Sequence, residues 1–137
     1  MSFTASARRV GDGLRHEVDV NGRHTIVTDE PERLGGTDAG PAPHELLPAT
    51  LAACVSTTLA MYAARKGWDL GELQVDVVYD NEAEPRRFDT TLRLGGDLTP
   101  EQVTRLRRVA ASCPVSRALQ AGFAFEEHAV VAEHALR

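Results

Sequence analysis

Apolar and polar positions along the chain change period several times, and each change marks an element. Val18 and Val20 precede Asn21-Gly22, and Thr25, Ile26 and Val27 follow it. Asn-Gly between two such runs is the signal of a tight hairpin. With the Gly11-Asp12-Gly13 turn before it, the first thirty residues read as three antiparallel strands. Residues 29–43, DEPERLGGTDAGPAP, are rich in Gly and Pro and read as a connecting loop of the length that often carries function. A helix is predicted from about Pro43 or His44 to Lys66, with Gly67 as its stop. Pro48 either kinks the first turn or marks its true beginning. Leu47, Leu51, Cys54, Thr58, Met61 and Arg65 recur at spacings of three and four, the expected buried stripe.

Alternation returns at Leu73, Val75, Val77 and Tyr79, and again at Phe88, Thr90, Leu92 and Leu94. Both stretches fit half-buried strands joined by the polar turn DNEAEPRR. Thr99-Pro100-Glu101-Gln102 supplies an N-cap, a proline at the first helical position and a glutamine at the third. Val103, Leu106, Val109 and Ala110 form the apolar face of that helix, which ends at Cys113 before Pro114. A further helical turn begins at Val115–Leu119, and Phe123–Ala132 reads as a closing strand. The order βββ-α-ββ-α-β indicates an α+β fold with mostly antiparallel sheet, one domain over residues 1–137. Ala49, Ala52, Ala53 and Ala60 extend the apolar surface of the long helix beyond what one modest sheet covers. Either sheets enclose it on several sides or a second copy of the chain packs against it, and the favoured expectation is a homodimer.

Charge narrows the partners. Fifteen basic and twenty acidic residues give −5, with no basic face of the kind nucleic acid requires. Arg105, Arg107 and Arg108 cluster in the second helix, where a solvated face is the plain reading. No apolar run is seen to approach the ~18–20 residues needed to span a bilayer, and the first residues lack the apolar stretch of a signal peptide. The expectation is a cytoplasmic protein with neither nucleic acid nor membrane as partner. Two cysteines, Cys54 and Cys113, are too few for a disulfide scaffold and lack metal-ligand spacing. Buried small residues, a redox pair, or one nucleophile with a bystander all remain open on spacing alone, because the two lie 59 residues apart.

The run GPAPHELLPATLAACVSTTLAMYAARKGW (residues 40–68), followed by SCPVSRAL (residues 112–119), resembles the OsmC/Ohr family of thiol peroxidases. The hairpin start, the strand pair and the closing strand fall in the same order, so the resemblance spans nearly the whole chain. It implies an intertwined homodimer with the long helix at the centre of two sheets. It implies further that Cys54 attacks an organic hydroperoxide, fatty-acid or alkyl, and becomes a sulfenic acid. Cys113 then resolves that acid as a disulfide. The implied reductant is an external dithiol, a lipoyl group or lipoylated protein in the Ohr branch, with no bound cofactor and no metal.

The same resemblance calls for an Arg and a Glu that activate the thiol. The Glu position falls on His44, with Glu45 one place later, and Arg33 is the nearest loop match for the Arg. In the Ohr pattern the Arg lies in the first turn, where Arg9 and Arg15 flank Gly-Asp-Gly. Ten residues of helix span about 15 Å, so His44 or Glu45 cannot touch Cys54 within one straight helix, and the resemblance implies that the activating residues come across the dimer interface. The rival expectation is an OsmC-like stress protein without turnover, a small-molecule binder or a thiol redox sensor.

Overall fold

The computed structural model describes residues 1–131. Three strands open the chain: β1 (Ala5–Arg9), β2 (His16–Val20) and β3 (His24–Thr28), in the order β1-β2-β3 and antiparallel throughout. At the β2–β3 turn Asn21 and Gly22 take φ of 55° and 71°, and the Arg23 N–H donates to the Val20 carbonyl at 3.2 Å. Two left-handed residues are what a hairpin of the right twist requires there, and Asn and Gly adopt them cheaply.

Beyond the loop, a 3₁₀ turn at Pro43–Glu45 leads into α1 (Leu46–Lys66), which stops at Gly67 with φ 71°. Pro48 lies in the first turn of α1, where a backbone N–H has no intrahelical partner in any case, so the helix tolerates it. The hairpin β4 (Leu73–Asp80) and β5 (Arg87–Leu94) follows, then α2 (Pro100–Ala111) and α3 (Pro114–Ala121). Thr99 caps α2 as its sequence implies: its hydroxyl accepts the Gln102 N–H, and the Gln102 side chain accepts the Thr99 N–H.

One face of α1 meets β4–β5 and α2. Leu51, Val55, Leu59 and Ala63 are buried along it, joined by Leu106 and Ala110 of α2 and by Leu70 and Cys113. Leu73, Val75, Val77, Phe88, Leu92 and Leu94 pack beneath. Tyr79 stacks on Phe88 across the hairpin, ring centroids 4.6 Å apart. Strands β1–β3, by contrast, are mostly exposed and pack chiefly on one another.

Three expectations need correction. The buried stripe of α1 is every fourth residue from Leu51, not Leu47, Cys54, Thr58, Met61 and Arg65; Met61 is 58% exposed. Apolar or small residues encircle this helix, so periodicity alone cannot choose which side meets the sheet. Secondly, Pro43–Lys66 is long and apolar enough to cross a membrane by length and composition, at mean hydropathy 1.5. No Asp, Glu, Lys or Arg interrupts residues 46–64, and the alanines and threonines between the large apolar residues hide this from a count of contiguous runs. Thirdly, residues 122–131 form no strand: Gly122 ends α3 and the tail runs on without pairing to any described edge. Its alternation is suited to a strand, but a strand exists only with a neighbour to bond. Ala132, the predicted end, lies outside the described residues.

The loop after β3 is built on one buried carboxylate. Asp29 Oδ2 accepts from the Thr37 hydroxyl (2.7 Å) and from the N–H groups of Thr37 and Ala39 (3.2 and 3.1 Å), while Oδ1 accepts the Glu30 N–H at 2.8 Å. Gly36 passes so close that an added Cβ would lie 1.9 Å from the Glu30 carbonyl oxygen. The Thr37 hydroxyl, with the Ala39 and Glu30 N–H groups, lowers the Asp29 pKa from 3.8 to about 2. A pKa depressed on folding gives stability that is full above the unfolded value and is lost as pH falls through the folded one. Asp29→Asn is therefore expected to lower the urea midpoint at pH 7. The gap to the parent should close as pH falls from 4 to 2; a gap independent of pH would contradict the assignment.

Candidate functional site

α1 and the α2–α3 junction bring the two cysteines together. Cys54 is half-buried on α1, next to the Leu51–Val55 face, and Cys113 is fully buried in the core cluster. Both thiols are free, and they are close enough for Cys54 to affect the ionisation of Cys113. The 58 residues between them contain the β4–β5 hairpin and α2, and folding those elements against α1 closes the gap.

Cys113 is also the N-cap of α3. Pro114 occupies the first helical position, where its missing N–H costs nothing, and the Cys113 Sγ accepts the Ser116 N–H at 3.4 Å. Burial pushes the Cys113 thiol up, the Ser116 N–H offsets part of that, and the neighbouring Cys54 thiol adds to the rise. Cys113 is thus held as a neutral thiol at neutral pH. Of the two cysteines, Cys54 is the less buried.

Beside this pair lies a cleft of about 420 Å³ between α1, β5, α2 and α3. Leu51, Val55, Phe88, Leu92 and Leu119 give it apolar walls, and Arg107, Ser116 and Gln120 supply its polar side. Leu51, Val55 and Ala110 of its lining belong to the same buried cluster as Cys113. Neither cysteine is itself in that lining, but Ser116, whose N–H donates to the Cys113 Sγ, is. Sequence reasoning placed Arg107 only on a solvated helix face, since nothing local to α2 signals what α3 and β5 bring to it.

Within one chain none of the other candidate residues is hydrogen-bonded to Cys54. His44 is exposed and meets Tyr79 edge-on, ring centroids 5.4 Å apart. The Glu45 carboxylate accepts the Ala42 N–H at 2.7 Å, closing the turn that starts the helix. Arg33 is exposed in the short turn Glu32–Leu34 and makes no ion pair or hydrogen bond with any described residue. Arg9 holds the carbonyls of Asp12 and Gly13 in the first turn. Among the described residues, no group of His, Cys, Asp and Glu has the arrangement to hold a metal ion.

A sequence profile of OsmC-like proteins matches residues 36–128, from the Asp29 loop through both cysteines and α3. The chain belongs to the OsmC-like family. Solved structures of the family share the fold at low identity. The OsmC-like protein of Mycoplasma pneumoniae is 19% identical with a TM-score of 0.72, covering 88% of each chain. An organic hydroperoxide resistance protein OsmC from Legionella pneumophila is 22% identical, with a TM-score of 0.62 over 88% of this chain and 90% of that one. The organic hydroperoxide resistance protein OhrB of Bacillus subtilis is 20% identical, with a TM-score of 0.54 over 85% and 89%. Among curated protein sequences none matches the chain. The OsmC-like α+β architecture, with small antiparallel sheets and one long helix, is the fold that the sequence implied.

Proposed function

We propose that this OsmC-like protein is a cysteine-based peroxidase that reduces organic hydroperoxides in the cytoplasm. The observation that carries the reading is the pairing of a reachable thiol, Cys54, with a buried neutral one, Cys113, beside an apolar cleft. The Cys54 thiolate attacks the distal peroxide oxygen; the O–O bond breaks, and the leaving alkoxide takes a proton to become the alcohol. Cys54 is then a sulfenic acid. The Cys113 sulfur attacks it, the S–S bond forms, and the hydroxyl leaves as water with the Cys113 proton. An external dithiol, free or carried as a lipoyl group, exchanges with the disulfide and restores both thiols.

The active form in this reading is a homodimer. Ala53, Ala60, Ala64 and Met61 leave one side of α1 uncovered, and Phe123, Phe125, Val130 and Val131 of the tail are exposed. A second copy is the natural cover for that much apolar surface. It is also the route by which Arg33, with Glu45 or His44, reaches Cys54, since about 14–15 Å of helix separates His44 and Glu45 from it within one chain.

A second reading keeps the site and drops the turnover: a redox sensor or small-molecule binder. It is favoured by Glu45, whose carboxylate is occupied by the Ala42 N–H rather than by an arginine. The two readings part on rate. A peroxidase with apolar cleft walls consumes cumene hydroperoxide at least about tenfold faster than hydrogen peroxide, because binding desolvates the organic group. Stopped-flow oxidation of the reduced protein by each peroxide measures this. Slow oxidation at equal rates contradicts the peroxidase and leaves the sensor.

A further inference from the structure

The sulfur that the proposed reaction uses in its second step already has a structural task. Cys113 is the N-cap of α3, with φ −64° and ψ 155°, and its Sγ accepts the Ser116 N–H at 3.4 Å. No acidic residue stands in the first turn of α3, so this sulfur is what answers the free N–H groups there. The helix it caps is weakly held. α3 has eight residues, none of them fully buried, and a helix that short does not stand without support. The Gln120 side-chain amide donates to the Ser116 hydroxyl at 2.8 Å, a bond within α3 itself. Ser116, Leu119 and Gln120 form the wall that α3 gives to the cleft.

A thiol sulfur has one covalent neighbour and is free to face the N–H groups of the turn it caps. A disulfide sulfur has two, and the Cys113 Sγ then has to face Cys54 on α1 instead. One torsion aims that sulfur, and it occupies discrete wells, so a single sulfur serves one end or the other. We infer, building on the thiol pairing of the proposed function, that closing the Cys54–Cys113 disulfide takes the cap from α3. The helix is then docked in the dithiol form and loosened in the disulfide form. Cys113 is fully buried, yet exchange with an external dithiol needs a sulfur that an attacking thiolate reaches. A loosened α3 opens the cleft wall next to that sulfur, at Ser116, and does so only while there is a disulfide to reduce. Reduction returns the Cys113 Sγ to the Ser116 N–H, and the wall closes.

The test needs no peroxide. Diamide oxidises the reduced protein: the S–S bond forms, and the two thiol hydrogens pass to diamide, which becomes its hydrazine. Intact mass, lower by two hydrogens, identifies the product. Amide hydrogen exchange is then followed over residues 115–121 in both forms, with α2 as the internal reference. The α3 amides are expected to exchange about three- to tenfold faster in the disulfide form, the effect of a lost N-cap, while those of α2 keep their rates. Cys54→Ser, which cannot form the bond, should show no change with diamide. Cys113→Ser offers a hydroxyl to the Ser116 N–H and should keep α3 as protected as in the reduced parent. Cys113→Ala has no acceptor and should match the disulfide form; the exchange of α2 in each variant separates a loosened α3 from a weakened core. Unchanged or slower exchange of α3 in the disulfide form, or equal protection in Cys113→Ser and Cys113→Ala, overturns the inference and leaves the thiol pairing intact. Thiols that diamide leaves free remove the pairing, and the inference with it.

Discussion

Replacing Cys54 by serine is expected to abolish peroxide consumption, lowering the rate with cumene hydroperoxide by a factor on the order of 10³ or more. A hydroxyl is a far weaker nucleophile than a thiolate. Cys113→Ser should behave differently, and the contrast is informative. Cys54 is half-buried and approachable while Cys113 is sealed in the core and held neutral, so the first oxidation survives without Cys113. In that variant one equivalent of peroxide is consumed, and a sulfenic acid accumulates that dimedone traps on Cys54. Repeated turnover then slows, and sulfinic acid builds up because no resolving thiol stands beside the sulfenate. Equal loss of the first step in both variants would contradict the division of labour. Full activity in Cys54→Ser would remove the peroxidase reading itself.

Leu59→Ala and Leu106→Ala are each expected to destabilise the fold by about 2–5 kcal/mol. Both leucines are fully buried, and they are the largest apolar side chains so enclosed in the cluster where α1 meets α2 above the β4–β5 hairpin. Truncation removes transfer free energy and leaves a cavity that a helix held on two sides cannot close. Urea unfolding of each variant gives the value from the midpoint at constant slope. Met61→Ala is the internal control, exposed in the single chain. Its cost should appear only where α1 is covered by a second copy, so it depends on protein concentration if the dimer forms. A loss below 1 kcal/mol for Leu59→Ala would mean that the core face of α1 lies elsewhere.

The boundaries of the elements were legible because local chemistry writes them. Asn21-Gly22 sets a turn, Thr99 with Gln102 starts α2, and Gly67 ends α1, each through backbone geometry that needs no distant partner. The α+β class followed from the order of those elements. What stayed hidden depends on neighbours distant in sequence. The buried side of α1 is chosen by β4 and α2, not by a helix that is apolar or small-sided nearly all round. The tail has strand periodicity without an edge to join. Cys54 and Cys113 were recognisable as a pair only by likeness to a family, since their adjacency is made by the hairpin and helix between them. Arg107 looked like any solvated arginine until α3 and β5 placed apolar walls opposite it.

His44 marks the limit of reading a site from a motif. It stands where the family resemblance calls for a carboxylate, and Glu45 beside it spends its carboxylate on the turn that begins α1. Arg33 sits in a loop held by Asp29, exposed and unpaired among the described residues. A single chain thus supplies both sulfurs, and within it none of these three residues makes a hydrogen bond to Cys54.

The pairing of the two thiols in one redox site is tested most directly by intact mass and free-thiol count on fully reduced protein. The sample is taken seconds after one equivalent of cumene hydroperoxide, with hydrogen peroxide in parallel. The predicted result is loss of both thiols and a mass lower by two hydrogens, reached sooner with the organic peroxide. Thiols unchanged over minutes, or oxygen added to Cys54 with Cys113 still free, would contradict it.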